Sequence, residues 1–86
     1  MRGMLPVVGI DIDYEAAEPP YRQIAAWLRA RIESGELKPG QRLPTERELM
    51  ETLGVAQTTT RRAYRLLAAE GLVTTTGGRG THVRAR

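Results

Sequence analysis

Apolar residues recur at helical spacing in the stretch from Pro20 to Ser34. Their separations of three and four positions place them on one face of a helix, and they are Tyr21, Ile24, Ala25, Leu28 and Ile32. Trp27 lies beside this stripe. Proline is tolerated in a first helical turn, where its missing N–H would be unpaired, and Gly35 can end the helix. The pattern therefore predicts a first helix over residues 20–34 with its apolar face in the core.

Two further helices are predicted in the middle of the chain, separated by a short turn. Thr45 and Glu48 have the spacing of a capping box, so a helix is expected from there to Leu53. Gly54 suits the left-handed conformation that follows a helix end. The next helix is predicted over residues 57–70. Its inner face is expected to comprise Ala63, Leu66 and Leu67.

Strand patterns flank these helices. Residues 72–76 and 81–84 have strand propensity, and the Gly-rich residues 77–80 between them indicate a hairpin turn. Residues 37–44 form a Pro-Gly turn with an extended piece at Arg42–Leu43, pinned to the core by Leu37 and Leu43. Residues 1–18 are expected to be a leader with a short strand at Val7–Ile12. The predicted fold is mostly α with a small β-hairpin, a winged helix-turn-helix over residues 19–84.

Length and composition limit the functional classes. A chain of 86 residues holds one small domain. The absence of Cys excludes a disulfide scaffold and a thiolate metal site. The longest apolar run, Met4–Ile10, contains a Pro and a Gly and is too short to cross a bilayer, and the flanks of a signal peptide are missing. We therefore expect a cytoplasmic protein with no membrane partner.

Positive charge is concentrated in the second half of the chain. Residues 1–41 carry five basic and six acidic groups, a net charge of −1, whereas residues 42–86 carry eight basic and four acidic groups, a net charge of +4. A polyanionic partner is therefore expected to meet the second half. The alternative for such an excess is an ordinary solvated basic surface.

The second and third predicted helices are expected to form a helix-turn-helix, because a three- to four-residue turn containing Gly joins them and the later helix is basic at its start. In this motif the second helix offers its N-terminal residues to base edges in the major groove. The residues expected to meet bases are Gln57, Thr58 and Arg61. Those expected to meet phosphates are Arg62 and Arg65, with Thr45 and Arg47 at the start of the bracing helix. Arg79 at the hairpin tip is expected at the backbone or minor groove, and Thr60 should face the core.

The segment from Pro19 to Val83 resembles the DNA-binding domain of the GntR family of bacterial transcription regulators. The motifs that carry the resemblance are "GELKPGQRLPTERELM" (Gly35–Met50), "LLAAEGLV" (Leu66–Val73) and "GRGTHV" (Gly78–Val83). The resemblance implies a double-stranded DNA-binding regulator, expected to be a repressor. It also implies DNA contacts from Arg47, Thr58, Thr59, Arg61 and Gly78.

Three positions depart from the family pattern. Where the family usually has Ser or Thr followed by Arg, this chain has Ala56 and Gln57, which changes the expected base preference. Where the family usually has Val or Leu, this chain has Thr60, which predicts a slightly weaker core there.

Other classes of function have less support in the sequence. No catalytic site is expected, because Ser34 has no His–acid partner and no carboxylate pair occupies a plausible cleft. His82 stands alone, so no metal or other cofactor is predicted. A winged helix used for protein–protein contact, and an RNA-binding domain, remain alternatives.

The expected partner is a pseudo-palindromic operator bound by a homodimer, since one small domain covers too little DNA for high specificity. Strand Val7–Ile12 is the candidate segment for pairing, within the chain or between chains. No small-molecule effector domain is expected in these 86 residues. The chain is therefore either a short regulator or the DNA-binding portion of a longer, effector-responsive one.

Overall fold

The computed structural model describes residues 10–76 and 80–84. In chain order these residues form three helices and two strands: α1 (Pro20–Ser34), α2 (Glu46–Leu53), α3 (Gln57–Ala69), β1 (Val73–Thr76) and β2 (Gly80–Val83). The strands pair antiparallel, with Val73 opposite Val83 and Thr76 opposite Gly80. The predicted winged helix-turn-helix is confirmed.

The ends of the helices follow from local chemistry. Gly35 (φ 87°) and Gly54 (φ 69°) adopt the left-handed conformation that ends α1 and α2, as their positions predicted. The capping box of α2 is formed: the Glu48 N–H donates to Thr45 Oγ1 at 3.0 Å, and the Thr45 N–H donates to Glu48 Oε1 at 2.9 Å. Helix α3 ends at Ala69, one residue earlier than predicted, with Glu70 as its C-cap.

The core lies where α1 packs across α3, with α2 closing one side. Its fully buried aliphatic side chains come from every helix and from the segment before α2: Ile24, Leu28, Leu37, Leu43, Leu49 and Leu67. Each contributes roughly 1.5–3 kcal/mol of hydrophobic stabilisation relative to an exposed side chain. Leu37 and Leu43 therefore anchor the Pro-Gly turn as expected.

The inner face of α3 differs from the prediction by one residue. Tyr64 is buried, whereas Leu66 is only half-buried. The buried positions of α3 are 60, 63, 64 and 67, which is the spacing of a single helical face. Position 66 lies beside that face, so the apolar character of Leu66 does not bring it fully into the core.

The base of the wing is tied to the segment that precedes α2. The Leu43 N–H donates to the Thr81 carbonyl at 2.7 Å, and the Val83 N–H donates to the Gln41 carbonyl at 2.8 Å. Arg42 forms an antiparallel bridge with His82, which confirms the short extended piece at Arg42–Leu43. These bonds attach strand β2 to the segment that leads into α2.

The leader is described only from residue 10 onward. Residues 10–12 form no strand, and residues 7–9 of the predicted strand lie outside the described residues. Ile10 and Ile12 instead pack against the core, while Asp13 is held to α1 because its N–H donates to Gln23 Oε1 at 2.9 Å. Within the described residues, the apolar side chains of Ile10 and Ile12 therefore serve to cover the core. None of the described helices has the length and apolarity needed to cross a membrane.

Candidate nucleic-acid interface

The first turn of α3 separates outward-facing from inward-facing side chains. Gln57 and Thr58 are exposed, Thr59 is half-buried, and Thr60 is fully buried. The Thr60 hydroxyl donates to the Gln57 carbonyl at 2.8 Å, which satisfies it inside the core. The prediction that Thr60 faces the core is confirmed, and Gln57 and Thr58 are left as the polar side chains presented at the start of the helix.

The N-terminus of α3 has no side-chain cap. Its N-cap residue is Ala56, which makes no side-chain hydrogen bond. The Thr59 and Thr60 N–H groups donate to the Ala56 carbonyl at 3.0 and 3.3 Å, while the N–H groups that precede them in a helix have no partner within it and, together with the helix dipole, favour an anion. An uncapped and exposed helix start is therefore open to a phosphate oxygen or a base acceptor.

Arg61 connects the two helices of the motif. Its Nε lies 3.4 Å from Oε1 of Glu46, the first residue of α2. Because Nε is the atom in this contact, the terminal NH2 groups of the guanidinium keep their donors for an acceptor outside the protein. Glu46 was not identified from the sequence; an acidic residue at the start of a helix is ordinarily explained by the helix dipole alone.

The other two arginines of α3 have different surroundings. The guanidinium carbon of Arg62 lies 4.1 Å from the ring centroid of Tyr21 in α1, a cation–π contact. Arg22 approaches the same ring, with its Nε 3.3 Å from the Tyr21 hydroxyl. Arg65 is exposed. The stack therefore gives Arg62 a defined position at the junction of α1 and α3.

The start of α2 presents the remaining polar candidates. The Thr45 hydroxyl oxygen accepts within the capping box, so its hydrogen is still available to a phosphate. Arg47 forms an ion pair with Glu51 at 3.4 Å, with side-chain exposures of 82% and 63%. A pair this exposed contributes little to stability, so exchanging Glu51 for a phosphate costs little.

The electrostatic character of the motif comes from α3. This helix contains three arginines and no acidic residue.

Two of the wing residues predicted from the sequence, Gly78 and Arg79, lie outside the described residues. The register of β1 and β2 leaves positions 77–79 between the paired ends Thr76 and Gly80.

Tyr64 is the other residue that the sequence reasoning missed. It is 3% exposed, and its hydroxyl donates to the Pro44 carbonyl at 2.5 Å. Burial, reinforced by the charges of Glu46 and Glu48, raises the pKa of Tyr64 well above its ordinary value of 10.0. Its position four residues after Thr60 and three before Leu67 was the available signal for its burial.

A helix-turn-helix with an attached two-stranded wing and a basic second helix defines a winged helix-turn-helix domain. The family profile described as "Bacterial regulatory proteins, gntR family" matches residues 20–83. The chain therefore belongs to the GntR family, as its motifs predicted.

Curated relatives share this region. The chain is 45% identical over 67 residues to the mannosyl-D-glycerate transport/metabolism system repressor MngR of Escherichia coli, covering 78% of this chain and 28% of that protein. It is 40% identical over 74 residues to the HTH-type transcriptional repressor NagR of Bacillus subtilis, covering 86% and 30%. The chain thus spans less than a third of the length of these two relatives.

Solved structures share the fold. YtrA from Sulfolobus acidocaldarius, a GntR-family transcription factor, has a TM-score of 0.83 at 42% identity, covering 90% of this chain and 81% of that one. The DNA-binding domain of AraR in complex with operator ORX1 has a TM-score of 0.77 at 32% identity, covering 86% and 95%.

Proposed function

We propose that this chain is the DNA-binding part of a bacterial transcription regulator, a repressor that acts in the cytoplasm by binding double-stranded operator DNA rather than by catalysis. The observation that carries the proposal is the exposed, uncapped start of α3, where Gln57 and Thr58 precede Arg61 by about one turn. Such a surface matches the recognition helix of a helix-turn-helix, whose N-terminal residues meet base edges in the major groove.

The proposed interface divides into base contacts and backbone contacts. Base edges are read by Gln57, Thr58 and Arg61, because amide and guanidinium groups match the donor and acceptor patterns of adenine and guanine. The phosphate contacts are assigned to Thr45, Arg47, Thr59, Arg62 and Arg65. Gly78 and Arg79 at the wing tip are assigned to the backbone or minor groove. Phosphate contacts hold the helix in register and supply most of the salt dependence.

The operator is proposed to be a pseudo-palindrome occupied by two copies of the chain. The recognition surface of one copy spans a few base pairs, and two-fold proteins bind two half-sites about one or more helical turns apart. Relatives such as MngR and NagR are longer than this chain, which supports the alternative that it is the DNA-binding portion of a larger regulator.

Selection of binding sites from a random duplex pool tests the proposal. We expect enrichment of one half-site sequence, repeated as an inverted pair, followed by a steep fall of affinity with salt on the selected duplex. A protein–protein module would enrich no sequence and show no steep salt dependence. An RNA-binding domain would prefer a single-stranded or hairpin RNA over any duplex from the pool.

A further inference from the structure

The hydrogen bond from Tyr64 to Pro44 joins the two helices of the motif through the core. Tyr64 belongs to α3, while Pro44 is the residue before Thr45, the N-cap of α2. Pro44 is itself buried, and the bond links positions 20 residues apart. The hydroxyl of Tyr64 thus fixes the backbone at the point where the chain enters α2.

A hydrogen bond between two helices constrains their relative position in a way that apolar packing does not. Leu49 of α2 and Leu67 of α3 are buried in the same core, and hydrophobic contact between such side chains is non-directional. A hydrogen bond restricts both distance and angle between its partners. The start of α2 is therefore held against α3 by a geometric constraint as well as by packing.

We propose that Tyr64 is a positioning residue for DNA recognition. Its bond to Pro44 sets the place of the first turn of α2 relative to α3, so that Arg47 and the recognition helix reach the same stretch of DNA together. The Glu46–Arg61 contact, at 3.4 Å, crosses the same junction and depends on the same geometry. This inference rests on the proposed function, since it assigns Tyr64 a role in that interface without contact to DNA.

The simpler explanation is that Tyr64 only stabilises the fold, and Thr60 supplies the matched control. Both residues are buried in α3 and both donate a hydroxyl hydrogen to a backbone carbonyl. The Thr60 bond, to Gln57, stays within α3, whereas the Tyr64 bond crosses to α2. Thr60→Val and Tyr64→Phe each remove one buried hydroxyl, but only Tyr64→Phe removes a link between the helices.

The experiment measures unfolding and DNA binding of the wild type, Tyr64→Phe and Thr60→Val at a temperature where each is folded. On the selected duplex we expect Tyr64→Phe to lose about tenfold in affinity, and Thr60→Val about twofold or less. On a scrambled duplex both should stay near the wild type, because non-specific binding depends on charge rather than on the angle between helices. Unchanged discrimination in Tyr64→Phe, or a variant that does not fold, would overturn the positioning role in favour of a structural one.

Double-mutant cycles test whether the affinity lost in Tyr64→Phe comes from a displaced Arg47. In the Tyr64→Phe background, Arg47→Gln should cost less affinity than it does in the wild type, because Arg47 is already displaced. Arg65→Gln should cost the same in both backgrounds, since Arg65 and Tyr64 share a helix. Additivity of both cycles would count against the inference. A wild type that does not distinguish selected from scrambled duplex would instead refute the proposed function.

Discussion

At the scale of single residues, the candidate interface depends on side chains whose roles are divided by burial and by their partners. Gln57 and Thr58 are presented to solvent, whereas Thr60, two positions later, is fully buried. The helical period made this division predictable. The contacts of Glu46 with Arg61 and of Arg62 with Tyr21 were not predictable, because they join residues 15 and 41 positions apart whose proximity depends on the packing of three helices.

Gln57 is expected to determine one base of the half-site. A Gln side chain matches the donor and acceptor of adenine, while Arg matches the two acceptors of guanine. Gln57→Arg should therefore move the preference at one position from A·T to G·C, by up to about 1–3 kcal/mol. Parallel binding-site selections with the wild type and the variant measure this. Identical selected bases at every half-site position would remove Gln57 from base recognition.

Arg62 is expected to contribute one phosphate contact from its stacked position. Arg62→Gln should reduce the steepness of the log–log salt dependence of binding by about 0.9, the value for one released counterion. Arg29→Gln is the matched control, because Arg29 forms its ion pair with Glu70 and is assigned no part in the interface. Equal salt slopes for Arg62→Gln and the wild type would show that the stack with Tyr21 withholds Arg62 from the DNA.

At the scale of elements, most boundaries were predictable because each is set by local backbone chemistry. The capping box fixes the start of α2, and glycines with positive φ end α1 and α2. The leader strand predicted at Val7–Ile12 stays a prediction, because only residues 10–12 of it are described and these form no strand; a strand also needs a neighbouring strand to pair with, which no local pattern guarantees. The prediction placed Leu66 on the inner face of α3 because leucine is the more hydrophobic residue. The helical spacing instead buries Tyr64, and Leu66 is only half-buried.

The two helices of the motif differ in their N-caps, and this difference predicts their response to substitution. Ala56→Thr should add about 1 kcal/mol to the free energy of unfolding, because the Thr hydroxyl can accept from an N–H of α3 that has no partner now. Thr45→Ala should lower it by about the same amount by breaking the capping box of α2. Urea denaturation of both variants provides the comparison; no gain from Ala56→Thr would mean that the open N–H groups are already satisfied.

At the scale of the whole molecule, a polar contact on the surface links the first and last helices around the core. Arg29 of α1 and Glu70 after α3 form a two-pronged ion pair, with both N–O distances 2.8 Å. The hydrogen bond to Arg29 lowers the pKa of Glu70 below its ordinary value of 4.5. The pair therefore closes the helical bundle most effectively when Glu70 is ionised.

This depressed pKa gives stability a specific pH dependence. The contribution of Glu70 is fully present above pH 4.5 and is lost as the pH falls through the lower pKa of the folded state. Glu70→Gln should therefore be less stable than the wild type at neutral pH, and the difference should shrink on acidification below pH 4.5. Thermal unfolding of the wild type and Glu70→Gln at a series of pH values measures this difference in stability. A stability difference that is constant over the whole acid range would contradict a lowered pKa of Glu70 in the folded state.

The central claim is that α3 reads DNA sequence through Arg61, and one titration tests it most directly. The affinities of the wild type and Arg61→Ala are measured on the selected duplex and on a scrambled duplex of equal length, at several salt concentrations. We expect Arg61→Ala to lose about 1–3 kcal/mol on the selected duplex and much less on the scrambled one, because a guanidinium that contacts a base contributes mainly to discrimination. Equal losses on both duplexes would show that Arg61 meets only phosphate, and would contradict the account of α3 as the recognition helix.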